Sequence, residues 1–321
     1  MVNIRFYRDF TFEYAVVEAV SPLIRRIVAR NPGSFTGPGT ATYIIGHGRV
    51  ALIDPGPALS SHVQAVLHAL RGETIDAILI THSHVDHWPA AAEIQHATGA
   101  RTYAFGPDAS KRDMLGAERP DFGFIPDHAL RDGDVLEGPG WHLTAVHTPG
   151  HASDHLCFSL GFSLAGERVL FSGDHVMGWS TSVIIPPDGN MGAYLRSLEK
   201  LHDRDDAIYL PAHGPPIPDP KSHVRAFIEH RLERRAAILE QLHAGDATIP
   251  EIVKAVYVGL SPGLRGAAAQ SVLAHLMELV NWGQVESDGP PSLDRRYRLA
   301  RGPRVGNAPE SAKGPCRCSP K

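Results

Sequence analysis

Cysteine is nearly absent. The three in this 321-residue chain, Cys157, Cys316 and Cys318, do not make a disulfide framework. Cys157 stands in the strand-like run His155-Leu156-Cys157-Phe158-Ser159-Leu160, which predicts a buried free thiol. Cys316 and Cys318 belong to a tail of Pro, Gly, Arg and Lys. Long apolar runs are missing too. No stretch approaches the ~18 continuous apolar residues of a membrane span, and residues 1–30 have no apolar core preceded by basic residues, so they do not read as a signal peptide. Positive charge is not in excess either. At a net charge of −4 the chain offers no electrostatic reason to bind nucleic acid or an anionic membrane surface. These absences predict a cytoplasmic globular protein with no membrane partner.

What is abundant is histidine. There are 19, several crowded against Asp and Gly in short loops. The hydrophobic share of 43% with 21% charged residues is that of a globular chain, long enough for one domain of about 200–250 residues and a small second one.

Strand-like runs recur with informative residues at their ends. Thr42 to Gly46 and Val50 to Ile53 read as a hairpin stopped by Asp54-Pro55-Gly56-Pro57. Ser60 to Arg71 carries Val63, Val66, Leu67 and Leu70 at helical spacing. Ile75 to Thr81 reads as a strand buried on both faces, followed by His82-Ser83-His84-Val85-Asp86-His87. Pro89 suits a first helical position, and the helix from Ala90 to Thr98 closes at Gly99. Further strands are expected at Arg101 to Phe105, Trp141 to His147, Leu156 to Leu160, Arg168 to Phe171 and Ala207 to Leu210. Ser222 to His243 reads as a long charged helix with a solvated face. After Gly245 come a short helix (Ile249 to Tyr257), a longer one (Leu264 to Trp282) and two strands around Asp288-Gly289-Pro290-Pro291, the outline of a winged-helix-like domain. The expected division is a catalytic domain at 1–245, the winged-helix-like domain at 246–300 and a disordered tail at 301–321.

His82, His84, His87 and Asp86 lie within six residues. Thr148-Pro149-Gly150-His151, Ser172-Gly173-Asp174 and Pro211-Ala212-His213 add three more candidates, each just beyond an apolar strand. Imidazole nitrogen and carboxylate oxygen are what zinc takes when no thiolate is offered. Two dications a few ångströms apart need an anionic bridge, and together they bring the pKa of a water between them to about neutrality. The donors therefore predict a metal site. Asp86 and Asp174 are the catalytic carboxylates, and His82, His84, Asp86, His87, His151, Asp174 and His213 the metal ligands. The cofactor expected is two zinc ions, with iron or manganese as alternatives.

With these motifs the chain resembles the metallo-β-lactamase superfamily over about residues 10–220. It is most similar to the β-lactamase-like protein 2 group through Asn31-Pro32-Gly33, Ile53-Asp54-Pro55-Gly56, Leu210-Pro211-Ala212-His213-Gly214-Pro215-Pro216 and Glu229-His230-Arg231. The resemblance implies an αββα sandwich. It also implies that His82, His84 and His151 hold one metal and Asp86, His87 and His213 the other, with Asp174 bridging, and that Asp54 orients a metal-binding histidine rather than simply making a turn. The activity implied is hydrolysis by a hydroxide held between two zinc ions, acting on an ester, thioester, amide or phosphodiester. The narrower likeness implies an endoribonuclease on single-stranded RNA. Against that, Leu264 to Trp282 carries only Arg265 as a basic residue and the wing's Arg295, Arg296 and Arg298 are the sole basic cluster, so the winged-helix outline is expected to pack rather than to bind nucleic acid. An iron-dependent oxidoreductase on the same fold is a lesser alternative, and a scaffold that has lost catalysis the least. The partner expected is a small-molecule substrate or single-stranded RNA. The oligomeric state stays open, a homodimer included. His175 and the aromatics Trp88, Phe122, Phe124, Trp179 and Tyr194 are weighed as pocket residues. His147, His155, His202, His230 and His275 read as structural or solvated.

Overall fold

In the strands that carry the site, apolar residues occupy both faces, and that decides the architecture, because a sheet apolar on both sides must be covered on both. The computed structural model describes residues 2–106, 124–161 and 168–300. Phe122, Cys316, Cys318 and the tail 301–321 lie outside them. Seven strands form the first sheet in sequential order: β1 (Val17–Ser21), β2 (Ile24–Val28), β3 (Ala41–Ile45), β4 (Arg49–Ile53), β5 (Thr74–Leu79), β6 (Arg101–Ala104) and β7 (His128–Ala129). Ala51, Ile53, Ala77 and Leu79 face inward, while Val50, Leu52, Ile75 and Ile78 face helices α1 (Ser60–Ala69) and α2 (Ala91–Thr98). At Gly99 the chain leaves α2 with φ 74°, as the sequence predicts.

The second sheet, ordered β12-β11-β10-β9-β8, contains β8 (Val135–Gly138), β9 (Trp141–His147), β10 (Leu156–Leu160), β11 (Val169–Gly173) and β12 (Ile208–Pro211). Leu143, Ala145, Phe158 and Phe171 interleave with Tyr43 and Leu79 of the first sheet to form the central core. On its outer side lie α3 (Met191–His202) and the first turns of α4 (Pro220–Ala244). The layers are helix, sheet, sheet, helix, the expected αββα sandwich.

The last turns of α4 enter a different core. Ile238 and Leu242 pack with α5 (Ile249–Val256), α6 (Arg265–Asn281) and a small sheet of β13 (Ala247–Thr248), β15 (Arg296–Leu299) and β14 (Val285–Ser287). A Thr248/Glu251 capping box starts α5. This is the winged-helix outline, with β13 as a strand the sequence does not announce. Two expectations change. β1 and β2 were not expected, because charged residues break their apolar pattern. The solvated face assigned to residues 222–243 is in part an interface: Val224, Phe227, Arg231, Ile238 and Leu242 are buried. Among the described residues no helix is long and apolar enough to cross a membrane.

Topology gathers the site. β4 and β5 run parallel, so Asp54 and Thr81 emerge side by side. β9 and β11 are both antiparallel to β10, and β11 runs parallel to β12, so the loops bearing His151, Asp174 and His213 leave the same edge. The two sheets are stitched together there. Leu156 N–H donates to Thr81 O at 2.7 Å and Ala41 N–H to Ala212 O at 2.8 Å.

Candidate metal centre

The first donor cluster comes from the loop after β5. His82 Nε2 lies 2.8 Å from His84 Nδ1, and His151 Nε2 lies 3.1 Å from the same atom. Asp174 Oδ2 completes the group, 4.0 Å from His82 Nε2 and 3.7 Å from His151 Nε2. The second cluster is Asp86, His87 and His213. Asp86 Oδ2 is 3.1 Å from His213 Nε2 and 3.4 Å from His87 Nε2. Asp174 faces both, its Oδ2 3.6 Å from His87 Nε2 and its Oδ1 3.3 Å from His213 Nε2. Within each cluster the donor atoms lie within 4.8 Å of one another.

Outward partners set which ring nitrogen carries the proton. A carbonyl or carboxylate can only accept, so His151 Nδ1–H donates to Val183 O (2.7 Å), His213 Nδ1–H to Gly39 O (3.1 Å) and His87 Nδ1–H to Asp54 Oδ2 (2.9 Å). His82 is fixed by one more step. Thr81 Oγ1 spends its proton on Asp54 Oδ2 at 2.8 Å, so at 3.0 Å it accepts from His82 Nδ1–H. Four Nε2 atoms are thereby aimed at the centre, each a lone pair whenever its ring is neutral. Asp54, held by Thr81 N–H at 2.8 Å, turns two histidines at once, so the turn-only reading of that residue gives way to the orienting one. It adopts φ 50°, a left-handed conformation that Asp tolerates better than most residues.

Other motifs serve the same edge. Asn31 Oδ1 accepts from Thr40 N–H and its Nδ2 donates to Thr40 Oγ1, both at 2.9 Å, and Thr40 Oγ1 reaches Asp86 Oδ2 at 3.4 Å. Gly173, at φ 50°, precedes Asp174, and a side chain there would meet His155 Nε2 at 2.5 Å. His155 Nε2 in turn accepts the Asp174 N–H at 3.2 Å.

The electrostatics suit a cation. Burial pushes His84 down to about 3 and holds His82 and His155 well below the ordinary imidazole range, so His82 and His84 are neutral lone-pair donors. Burial works against protonating His213 and His87 as well, but for these two the adjacent carboxylates win. Asp174 and Asp86 lift His213 to about 10, and Asp86, Asp174 and Asp54 lift His87 well above its usual value. Asp174 sits below the usual carboxylate range despite burial, chiefly through His213 and His87. Two buried atoms, His87 Nε2 and Asp174 Oδ1, have no hydrogen-bond partner, a costly arrangement unless something else satisfies them. Nitrogen and oxygen donors without thiolate are the chemistry of zinc, iron or manganese. The residues fit a pair of divalent metal ions.

The structure brings together all seven expected donors and leaves the other histidines outside. His147 stacks on Phe105 with centroids 4.0 Å apart, and His230, His202 and His275 are in neither cluster. His175 is buried beside Tyr194 with both ring nitrogens unpartnered. Trp179 lies against Gly37 and Gly214, next to His213, so the 177–181 loop does border the site. Trp88 donates to Ser83 O at 3.0 Å and packs tilted against Phe124, whereas Tyr194 is core. The sequence reading missed Asp154, which hydrogen-bonds to Ser83 of the histidine loop and is raised to about 6 by burial and by Asp188. It also missed Thr81, Thr40 and Ser182. It left Arg231 on a solvated face, although its spacing from Val224 and Phe227 falls on the buried stripe. A cavity of about 340 Å³ flanks His151, lined by Phe105, His147, Gly150, Asp154, Asp188 and Arg196 among others.

Comparison with known proteins agrees with this fold. Residues 35–213 match the metallo-beta-lactamase superfamily and residues 248–292 the beta-lactamase associated winged helix domain. The chain is 33% identical over 277 residues to a Caenorhabditis elegans protein named beta-lactamase-like protein 2 homolog, covering 84% of this chain and 88% of that one. It is 33% identical over 257 residues to the atrochrysone carboxyl ACP thioesterase of Aspergillus chevalieri, covering 75% of each. A metallo-beta-lactamase family protein from Thermus thermophilus superposes with a TM-score of 0.68 at 25% identity, covering 88% of this chain and 100% of that one. With its hydrolase-type fold and its donor clusters at the sandwich edge, this chain belongs to the metallo-beta-lactamase superfamily of enzymes.

Proposed function

We propose that the chain hydrolyses acyl esters or thioesters at a centre of two divalent metal ions, zinc foremost. The observation that carries this is the position of Asp174, which stands between two donor clusters within 4 Å of nitrogens from both. In this reading His82, His84 and His151 hold one ion, Asp86, His87 and His213 hold the other, and Asp174 bridges. Bound there, the ions would polarise a substrate carbonyl and lower the pKa of water.

The chain's own residues prepare the site. Asp54, Thr81, Val183 and Gly39 keep the Nε2 lone pairs inward. Asp86 and Asp174 place two negative charges where positive charge collects, and Thr40 holds Asp86 Oδ2 in place. Phe35 and Val85 are exposed on two loops at this edge, an apolar rim suited to an acyl group. A phosphodiester substrate is less well served. Arg265 is the sole basic residue of α6, and the wing's Arg296 and Arg298 are engaged by Glu251 and Glu286. The relative named as a thioesterase supports the choice of acyl chemistry.

The test is to assay protein purified without added metal for metal content, and for turnover of p-nitrophenyl esters, an acyl thioester, a β-lactam and single-stranded RNA. Thioester or ester hydrolysis that chelation abolishes and zinc restores is expected. RNA cleavage in preference to either, or turnover indifferent to chelation, would overturn the reading.

A further inference from the structure

Arg231 is an anomaly in α4. It sits on the stripe defined by Val224, Phe227, Ile238 and Leu242 and is only 3% exposed, yet among the described residues no carboxylate lies within ion-pair distance of it. A buried cation without an anionic partner is a cost that an apolar residue on the same stripe would avoid. Its Nη2 instead donates to Ser182 O, and its guanidinium lies over the Tyr194 ring at 5.3 Å.

The segment it grips is the one that supports the metal centre from behind. Ser182 Oγ donates to Asp174 O at 2.5 Å and lies 3.0 Å from His175 O. The next residue, Val183, accepts the His151 Nδ1–H at 2.7 Å. Tyr194 OH donates to His175 O at 3.0 Å. One guanidinium thus anchors the backbone that orients His151 and the backbone of Asp174.

We infer that Arg231 is a positioning residue for the metal centre, acting through Ser182 and Val183 on His151 and Asp174, so that α4 ties the site to the winged-helix module. The inference rests on the metal reading above. Four residues along α4, Arg235 offers the control. It pairs with Glu278 of α6 at 2.6 Å and lies over Trp282, so it joins the same helix to the module without touching Ser182.

Cobalt(II) is the probe. Affinity is measured by chelator competition, the ligand field by the visible d–d bands and stability by thermal melting, on the full chain. Arg231→Met should weaken cobalt binding by about 10–100-fold, the range for loss of a group that orients a ligand, and shift the d–d bands. Arg231→Lys should recover part of both, and carries the comparison alone if the Met variant is insoluble. Arg235→Met should lower the melting temperature while leaving affinity and bands as in wild type. Wild-type affinity and bands in Arg231→Met and Arg231→Lys would overturn the inference, as would an equal loss in Arg235→Met. Wild-type protein that takes up no cobalt would instead overturn the metal reading itself.

Discussion

Asp54 Oδ2 accepts from both His87 Nδ1–H and Thr81 Oγ1–H, at 2.9 and 2.8 Å, so one carboxylate oxygen sets the rings of His87 and, through the threonine, His82. Those two histidines belong to different donor clusters. Asp54→Asn keeps the size but replaces one acceptor oxygen with an NH₂ that cannot accept from His87. Metal affinity and kcat/KM should fall by about 10–100-fold, the usual consequence of losing a partner that orients a ligand. Equilibrium dialysis with zinc and steady-state assays on the variant check this. An unchanged affinity would mean that Thr81 and the backbone alone hold both rings.

Metal uptake should release protons. His213 is held protonated up to about 10, and His87 well above its ordinary range, by the carboxylates around them, and each must lose a proton to donate its Nε2. A folded-state pKa above the unfolded value stabilises the metal-free fold fully below about 6.5, and that contribution is lost as pH climbs toward 10. Apparent zinc affinity, and the melting-temperature gap between zinc-loaded and metal-free protein, should therefore both grow from pH 6.5 to pH 8.5. Calorimetric titration in two buffers of different ionisation enthalpy counts the protons directly. Heats independent of buffer, with a constant gap, would contradict the assignment.

The donors were legible because each follows an apolar strand in a short loop, where sequence order and spatial order nearly coincide. Their supports were not. Thr81 and Asp54 are 27 residues apart and meet only because β4 and β5 are parallel neighbours. β1 and β2 hide behind Arg25 and Arg26, whose charges are answered by Glu73 and Glu18 at 2.6 Å. In residues 222–243, charge outweighed spacing. Arg231 lies on the apolar stripe of α4, and only the fold shows the carbonyl that receives it.

The winged-helix module should bind duplex DNA poorly. Two of its three wing arginines pair within the module, Arg298 with Glu286 at 3.0 Å and Arg296 with Glu251 at 3.7 Å, and phosphate contacts there would have to compete with these. With so few free cations, counterion release supplies little affinity. Full-length protein titrated into fluorescent duplexes at about 0.15 M salt should show only weak, sequence-indifferent binding, with Kd no tighter than about 10⁻⁵ M, inside the non-specific range. Nanomolar, sequence-selective binding would count decisively against a packing role.

Asp174 carries the strongest prediction. Its two oxygens face nitrogens of His82, His87, His151 and His213 at 3.3 to 4.0 Å, and among the described residues no other carboxylate spans both clusters. If two dications sit there, Asp174→Asn keeps the shape but removes the charge that offsets their repulsion. Occupancy should fall from close to two ions per chain toward one, and kcat/KM should drop by more than the ~100-fold upper range for a residue that only orients a ligand. The fold should survive, because the core between the sheets does not involve Asp174. Metal content by elemental analysis, circular dichroism and kcat/KM on the substrate identified separate these effects. If Asp174→Asn keeps two ions and near-wild-type turnover, Asp174 is not the bridge, and the two clusters do not act as one centre.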